Sequence, residues 1–158
     1  MVAPMNVRVY VSCAAVLYAK YIVTTAIQSA SAFPAGNRPP EDNRLTVAKG
    51  HPKQNYGLVQ DVKDEKLAKA NEVDIRWRRI LLNDLESIPF ALFVFAGGVM
   101  ANANEKVFAG SMITYTVARC LHTIAYAKQK QPARAIVWFI GVSMITVGMV
   151  NAVVAAFS

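Results

Sequence analysis

The last 24 residues, Ala135 to Ser158, carry no charged side chain. As an α-helix this run extends about 36 Å, enough for the roughly 30 Å hydrocarbon core of a bilayer. Three further stretches behave alike. Ser87 to Asn104 is uncharged, Val9 to Phe33 is interrupted only by Lys20, and Val107 to Ala127 only by Arg119. The pattern predicts an all-α integral membrane four-helix bundle. Its spans fall at about residues 5–32, 73–101, 106–128 and 132–157, in a single transmembrane domain over 1–158. The one long connection, about 33–72, contains Pro34, Pro39, Pro40 and Pro52 with mixed charge, a composition suited to irregular solvated backbone. Within it the run Asp64 to Ala70 reads as a short surface helix. Arg8, an apolar run and Ala30-Ser31-Ala32 imitate a cleavable signal peptide. The late Lys20 and the three spans that follow favour an uncleaved first helix.

Lys and Arg in the connections set the expected orientation. The first loop holds seven, and the third connection adds Lys128, Lys130 and Arg134; the second has only Lys106 and the C-terminus none. Loops one and three therefore face the cytosol, and both termini face away from it. Trp77 and Trp138 then lie near the cytosolic interface, where indoles anchor.

The formal charge of +7 raises the question of nucleic acid, and its distribution answers it. Residues 33–74 hold seven basic and seven acidic side chains; the remaining ten basic and three acidic residues lie in or beside apolar segments. A nucleic-acid protein displays its basic residues on a solvated face. Here they stand where charge is expensive, so no nucleic-acid partner is expected.

Helical spacing sorts several of these charges onto common faces. Arg76, Arg79, Asn83 and Glu86 fall within an arc of about 80°, and Tyr115, Arg119, His122 and Tyr126 within about 60°. Lys20, Thr24 and Gln28 follow at i, i+4 and i+8. An ionisable side chain inside a membrane costs about 2.5–3.5 kcal/mol even on the lenient insertion scale. Polar faces on three helices therefore suggest a shared polar cavity. Structural readings stand beside the functional one. Arg76, Arg78 and Arg79 could be interfacial snorkelling residues, and Arg78 points off the shared face. Glu86 and Arg119 could pair simply to join helices, His122 could be a packing histidine, and Tyr126 an aromatic-belt residue. Gly141, Gly148 and Ala155, seven residues apart, read as a packing seam. Convergence of cationic and polar donors with one carboxylate, Glu86, at the cytosolic end describes an anion site.

Other chemistries find little support. There are two histidines, His51 and His122, and no Cys-x-x-Cys pairing of Cys13 or Cys120, so no metal site is expected. No Gly-rich phosphate loop, nucleophile elbow or dinucleotide fingerprint occurs. A reactive group, if the chain is an enzyme, would arrive with a cosubstrate.

The stretch from Arg76 to Phe90, RWRRILLNDLESIPF, resembles the second-helix motif of the MAPEG family, the membrane-associated proteins in eicosanoid and glutathione metabolism. Arg119 to Tyr126, RCLHTIAY, is similar to the family's third-helix motif. Gln131 to Ala135 resembles the start of its fourth helix, and Pro40-Glu41-Asp42 the short motif of its cytosolic loop. The order is the family's, across nearly the whole chain. Among its branches the chain is most similar to the microsomal glutathione transferases and membrane prostaglandin E synthases.

The resemblance implies a homotrimer, in the endoplasmic reticulum, with glutathione as cosubstrate bound between neighbouring subunits near the cytosolic face. Carried over position by position, Arg79, Asn83, Glu86, Arg119, His122 and Tyr126 would bind glutathione, with Arg76 nearby and Lys20 contributing from the first helix. Arg134 would be the catalytic residue, facing the sulfur. Glutathione has two carboxylates and one ammonium, which suits several cations and one acid. The implied activity is conjugation of its thiolate to hydrophobic electrophiles, with reduction of lipid hydroperoxides as an extension. A prostaglandin E synthase-like isomerase and a non-catalytic lipid-binding scaffold are the alternatives. Ala135, where the synthases place a serine, counts against the first; the retained Arg134 counts against the second.

Overall fold

In lipid, a chain must satisfy its backbone polar groups within its own segments, and a helix does so residue by residue. The computed structural model describes residues 2–58 and 64–158. It is all-α, with four long helices: α1 (Met5–Ser31), α2 (Glu65–Met100), α3 (Glu105–Ala127) and α4 (Gln131–Phe157). Short 3₁₀ turns at Pro40–Arg44 and Thr46–Ala48 punctuate the α1–α2 connection, of which residues 59–63 lie outside the described part.

Two differences from the sequence reading have physical causes. First, α2 starts at Glu65, so the run from Asp64 to Ala70 forms its first turns and is not a separate surface helix. The Asp64 carboxylate accepts the backbone N–H of Lys66 at 2.9 Å, the role of an N-cap. At 36 residues α2 is about 54 Å long, well beyond a hydrocarbon core, and its charged first turns belong to the excess. Second, among the described residues three helices are long and apolar enough to cross a bilayer: α1, α2 and α4. α3 has sufficient length at 23 residues, but Ser111, Thr116, Arg119 and His122, all buried, lower its mean hydropathy.

Contacts divide the chain into two compact units, Met1–Tyr21 with Asn83–Ser158, and Ile22–Leu82. In the first, all four helices share one core. Cys13 and Leu17 of α1, Ile88, Ala91 and Phe95 of α2, and Phe108, Met112 and Tyr115 of α3 are buried together, with Met144, Ile145 and Ala155 of α4 packed against them. In the second, Asp74 and Gln54 are fully buried and organise the backbone. Asp74 receives Asn37 Nδ2 at 2.7 Å and Gln28 Nε2 at 3.2 Å, and pairs with Arg78 at 2.9 Å. Gln54 donates to the carbonyls of Pro52 (2.7 Å) and Phe33 (3.0 Å).

Both tight interhelical turns end their helices in the same way. After α2, Asn102 is left-handed (φ 56°) and the Ala103 N–H reaches the Gly98 carbonyl at 2.9 Å. After α3, Gln129 is left-handed (φ 58°), and Lys130 N–H donates to Ala125 O at 2.9 Å while Gln129 N–H donates to Tyr126 O at 3.1 Å. These are Schellman closures, which satisfy the last carbonyls of a helix while reversing the chain. Asn104 then caps α3 by accepting from Lys106 N and Val107 N, and Pro132 occupies the first turn of α4, where its missing N–H costs nothing.

Of the residues in α4, only Gly141 and Gly148 are buried. A Cβ on Gly148 would lie 2.6 Å from Phe95 Cε1, whereas one on Gly141 would meet Tyr115 at an ordinary 3.8 Å. The Phe95 ring is itself held edge-on to Phe108, centroids 5.6 Å apart, so it has no easy retreat. Gly148→Ala should destabilise the protein by about 1–3 kcal/mol, the range for overpacking, while Gly141→Ala should be close to neutral. Thermal unfolding in detergent micelles distinguishes the two; equal melting temperatures would contradict this packing.

Candidate functional site

The polar residues of the first unit meet around one carboxylate. Asp84, on α2, has a side chain with no exposed surface; Lys20 of α1 pairs with one of its oxygens and Arg119 of α3 with the other. Both cations are themselves sequestered, with side chains 9% and 3% exposed. Arg119 uses its fork across two consecutive residues of α2, Nη2 to Asp84 and Nη1 to the Asn83 side-chain oxygen at 2.9 Å. Its Nε, buried, has no hydrogen-bond partner among the described residues. The cluster holds two cations and one anion, a surplus of one positive charge.

Beside it opens a pocket of about 320 Å³, lined by Asn83, His122, Tyr126, Gln131, Arg134 and Trp138, among others. That volume lies at the lower end of the range for small-molecule sites, about 300–1,000 Å³. His122, one turn beyond Arg119, is buried, and its Nδ1 is unpartnered among the described residues. The His122 ring meets Tyr126 edge-on at 5.8 Å between centroids, and the Arg134 guanidinium lies over the other ring of this pair, 4.4 Å from the Tyr126 centroid. A cation over an aromatic face is attracted by the ring quadrupole, which holds Arg134 without neutralising it. The first amides of α4 lie at the same end, adding the partial positive charge of a helix N-terminus. The pocket therefore combines one cation, a phenol, two amides and an imidazole with no carboxylate among its lining residues, a composition suited to an anion.

Of the residues singled out from the sequence, Asn83, His122, Tyr126 and Arg134 share this pocket, and Arg119 joins it through Asn83. Lys20 is engaged on Asp84. Glu86 is exposed on α2, and the structural pairing considered for it with Arg119 does not form: Arg119 takes Asp84 instead. Arg76 and Arg79 belong to the second unit. There Arg76 pairs with Glu72 at 2.6 Å, and Arg79 is exposed. Arg78, expected as a snorkelling residue, pairs with buried Asp74. The residue that sequence reasoning passed over is Asp84. The signal for it was present. Two isolated bases in different spans, Lys20 and Arg119, require an acid at matching depth, and α2 offers Asp84 as well as Glu86.

Removing the carboxylate takes the Asp84 ion pair from two buried cations at once. Asp84→Ala should therefore cost about 3–5 kcal/mol, as for breaking a buried ion pair from one side, while Glu86→Ala should leave stability unchanged. The checks are melting temperature and recovery of folded protein in detergent. Comparable behaviour of the two variants would remove Asp84 from the centre of the structure.

The sequence profile of the MAPEG family matches residues 10–154. No curated protein matches the chain significantly. The match contains α2 and α3 whole, most of α1 and α4, the Asp84 cluster and the pocket, and it agrees with an all-α, multi-pass integral membrane architecture. A profile that covers all but the two ends of the sequence settles the relationship: the chain belongs to the MAPEG family.

Proposed function

We propose that this protein is a membrane-bound glutathione transferase of the microsomal type, which conjugates the glutathione thiolate to hydrophobic electrophiles. The observation that carries the reading is the pocket itself: His122, Tyr126 and Arg134 around a cavity with no carboxylate, backed by the surplus positive charge at Arg119. A thiol ordinarily ionises near pH 8.5, and the thiolate, not the thiol, is the nucleophile. Each pH unit by which a cationic site lowers that ionisation corresponds to about 1.4 kcal/mol of preference for the anion. Arg134 faces the sulfur in this reading. Asn83, Arg119, His122 and Tyr126 hold the tripeptide. Glu86, Arg79 and Arg76 bind the ends of glutathione where subunits of a homotrimer meet, Glu86 taking the ammonium. All four helices cross the membrane of the endoplasmic reticulum, with the long loop and the α3–α4 turn cytosolic.

The thiolate attacks an electrophilic carbon, a C–S bond forms, and either a leaving group departs or the adduct takes a proton from water. With a lipid hydroperoxide it attacks the terminal peroxide oxygen, giving an alcohol and glutathione sulfenic acid. A second glutathione condenses with the latter to a disulfide and water. Ala135 lines the pocket next to Arg134 and brings no hydroxyl, which supports transfer over prostaglandin isomerisation.

Purified protein in detergent, mixed with glutathione, should develop the ultraviolet absorbance of a thiolate and then consume a chlorodinitrobenzene-type electrophile. Neither signal appearing would end the transferase reading. Arg134→Ala should retain glutathione binding while turnover falls by roughly 10²–10³-fold, the usual cost of deleting one electrostatic stabiliser of developing charge. Lost binding with unchanged turnover of the bound complex would show that Arg134 only holds the ligand. Glu86→Gln should raise the glutathione Kd with little change in turnover at saturation; an unmoved Kd would take the ammonium away from Glu86.

A further inference from the structure

Lys20 donates to one Asp84 oxygen and Arg119 to the other, and Arg119 also reaches the pocket-lining Asn83. Asp84 cancels one of the two cations, so the group carries a net charge of +1 beside the pocket, and Arg119 Nε is buried without a partner among the described residues. Arg119 stands one turn before His122 on α3, and Arg134 shares the pocket wall with His122. Because the cluster is buried, water screens these charges weakly. From these observations we infer that Lys20 and Asp84 are positioning residues that set the charge presented to the bound thiol: Asp84 fixes Arg119, and Lys20 restores the unit of positive charge that Asp84 removes.

This rests on the glutathione reading above but assigns Lys20 a different task from touching the tripeptide. The thiol proton leaves to solvent, and the cluster lowers the cost of the sulfur anion without taking the proton. The other titratable or charged groups on the pocket wall are His122 and Tyr126 of α3 and Arg134 of α4; Tyr115, Cys120 and Glu86 lie within about a turn of Arg119 or Asn83 along their own helices. None of them changes in the variants below.

Counting charge gives a signature that loss of packing does not imitate. In Lys20→Met the cluster becomes neutral. In Lys20→Met/Asp84→Asn it returns to +1, carried by Arg119 alone. A unit charge about 10 Å away in an effective dielectric near 20 moves an ionisation by about one pH unit. The experiment follows thiolate absorbance of bound glutathione against pH for the detergent-solubilised wild type, Lys20→Arg, Lys20→Met and the double variant. Lys20→Arg should titrate as the wild type does, Lys20→Met about one pH unit higher, and the double variant should move back toward the wild-type midpoint.

An unmoved midpoint in Lys20→Met would overturn the inference while leaving glutathione binding intact. A raised midpoint that the second substitution fails to lower would also overturn it, and would place Lys20 directly on the ligand. If the double variant does not assemble, the contrast between Lys20→Met and Lys20→Arg still decides. A wild-type protein that forms no thiolate at any pH would overturn the transferase reading and this inference together.

Discussion

Asp84 has no exposed side-chain surface, and two cations from two other helices end on its oxygens. Charges removed from water lose several kcal/mol of solvation each, which only close pairing recovers. The arrangement therefore leaves α1, α2 and α3 little freedom of register. A slip of one turn would carry Lys20 or Arg119 about 5.4 Å away and strand a charge. Apolar packing alone supplies no such register, since lipid tails offer an exposed Leu or Val nearly the same environment as a neighbouring helix. The shared core of Leu17, Phe95 and Tyr115 fills space; the Asp84 cluster defines depth. Asn83, the preceding residue, receives the second nitrogen of Arg119, so the floor of the pocket is indexed to the same point.

The opposite wall depends on a local device. Gln129 turns left-handed and the chain reverses within the Lys128–Lys130 turn, so the first turn of α4 begins beside the last turn of α3. Tyr126 and Arg134 are then forced together, ring under guanidinium. The site thus joins a long-range constraint, which fixes Arg119 and His122, to a short-range one, which fixes Arg134. The first constraint also decides how much charge the second one meets.

Much of this was legible in the sequence, for identifiable reasons. The absence of charge over Ala135–Ser158 dictates a helix whatever its neighbours do. Period-3.6 spacing placed Arg119, His122 and Tyr126 on one face without any knowledge of partners. Two features escaped. The start of α2 at Glu65 is hidden because charge marks the end of an apolar span, whereas a helix that outruns the bilayer continues into water. The choice between Asp84 and Glu86 was hidden because both are acids at nearly the same depth. Spacing grouped Glu86 with Arg79 and Asn83, but which acid a base selects depends on the rotation of α2 about its axis. Core packing sets that rotation through Ile88, Ala91 and Phe95, and no single-helix pattern reports it.

The same distinction explains α3, whose average polarity hides its sidedness. Ile113, Val117, Leu121 and Ile124 are each about half exposed, and their spacing of four, four and three residues runs them down one side. Ser111, Tyr115, Thr116, Arg119 and His122 are buried on the other. Mean hydropathy adds the two sides, so α3 falls below the level of α1, α2 and α4. The outward side on its own is apolar at these four positions. Several polar groups of α3 are compensated inside the protein: Arg119 Nη1 and Nη2 by Asn83 and Asp84, Tyr115 by Ser87 at 3.0 Å, and Thr116 by the Met112 carbonyl at 2.9 Å. The fold itself meets the desolvation of these paired groups, so the helix that gives up most hydropathy is the one that can hold the site's arginine in a buried position.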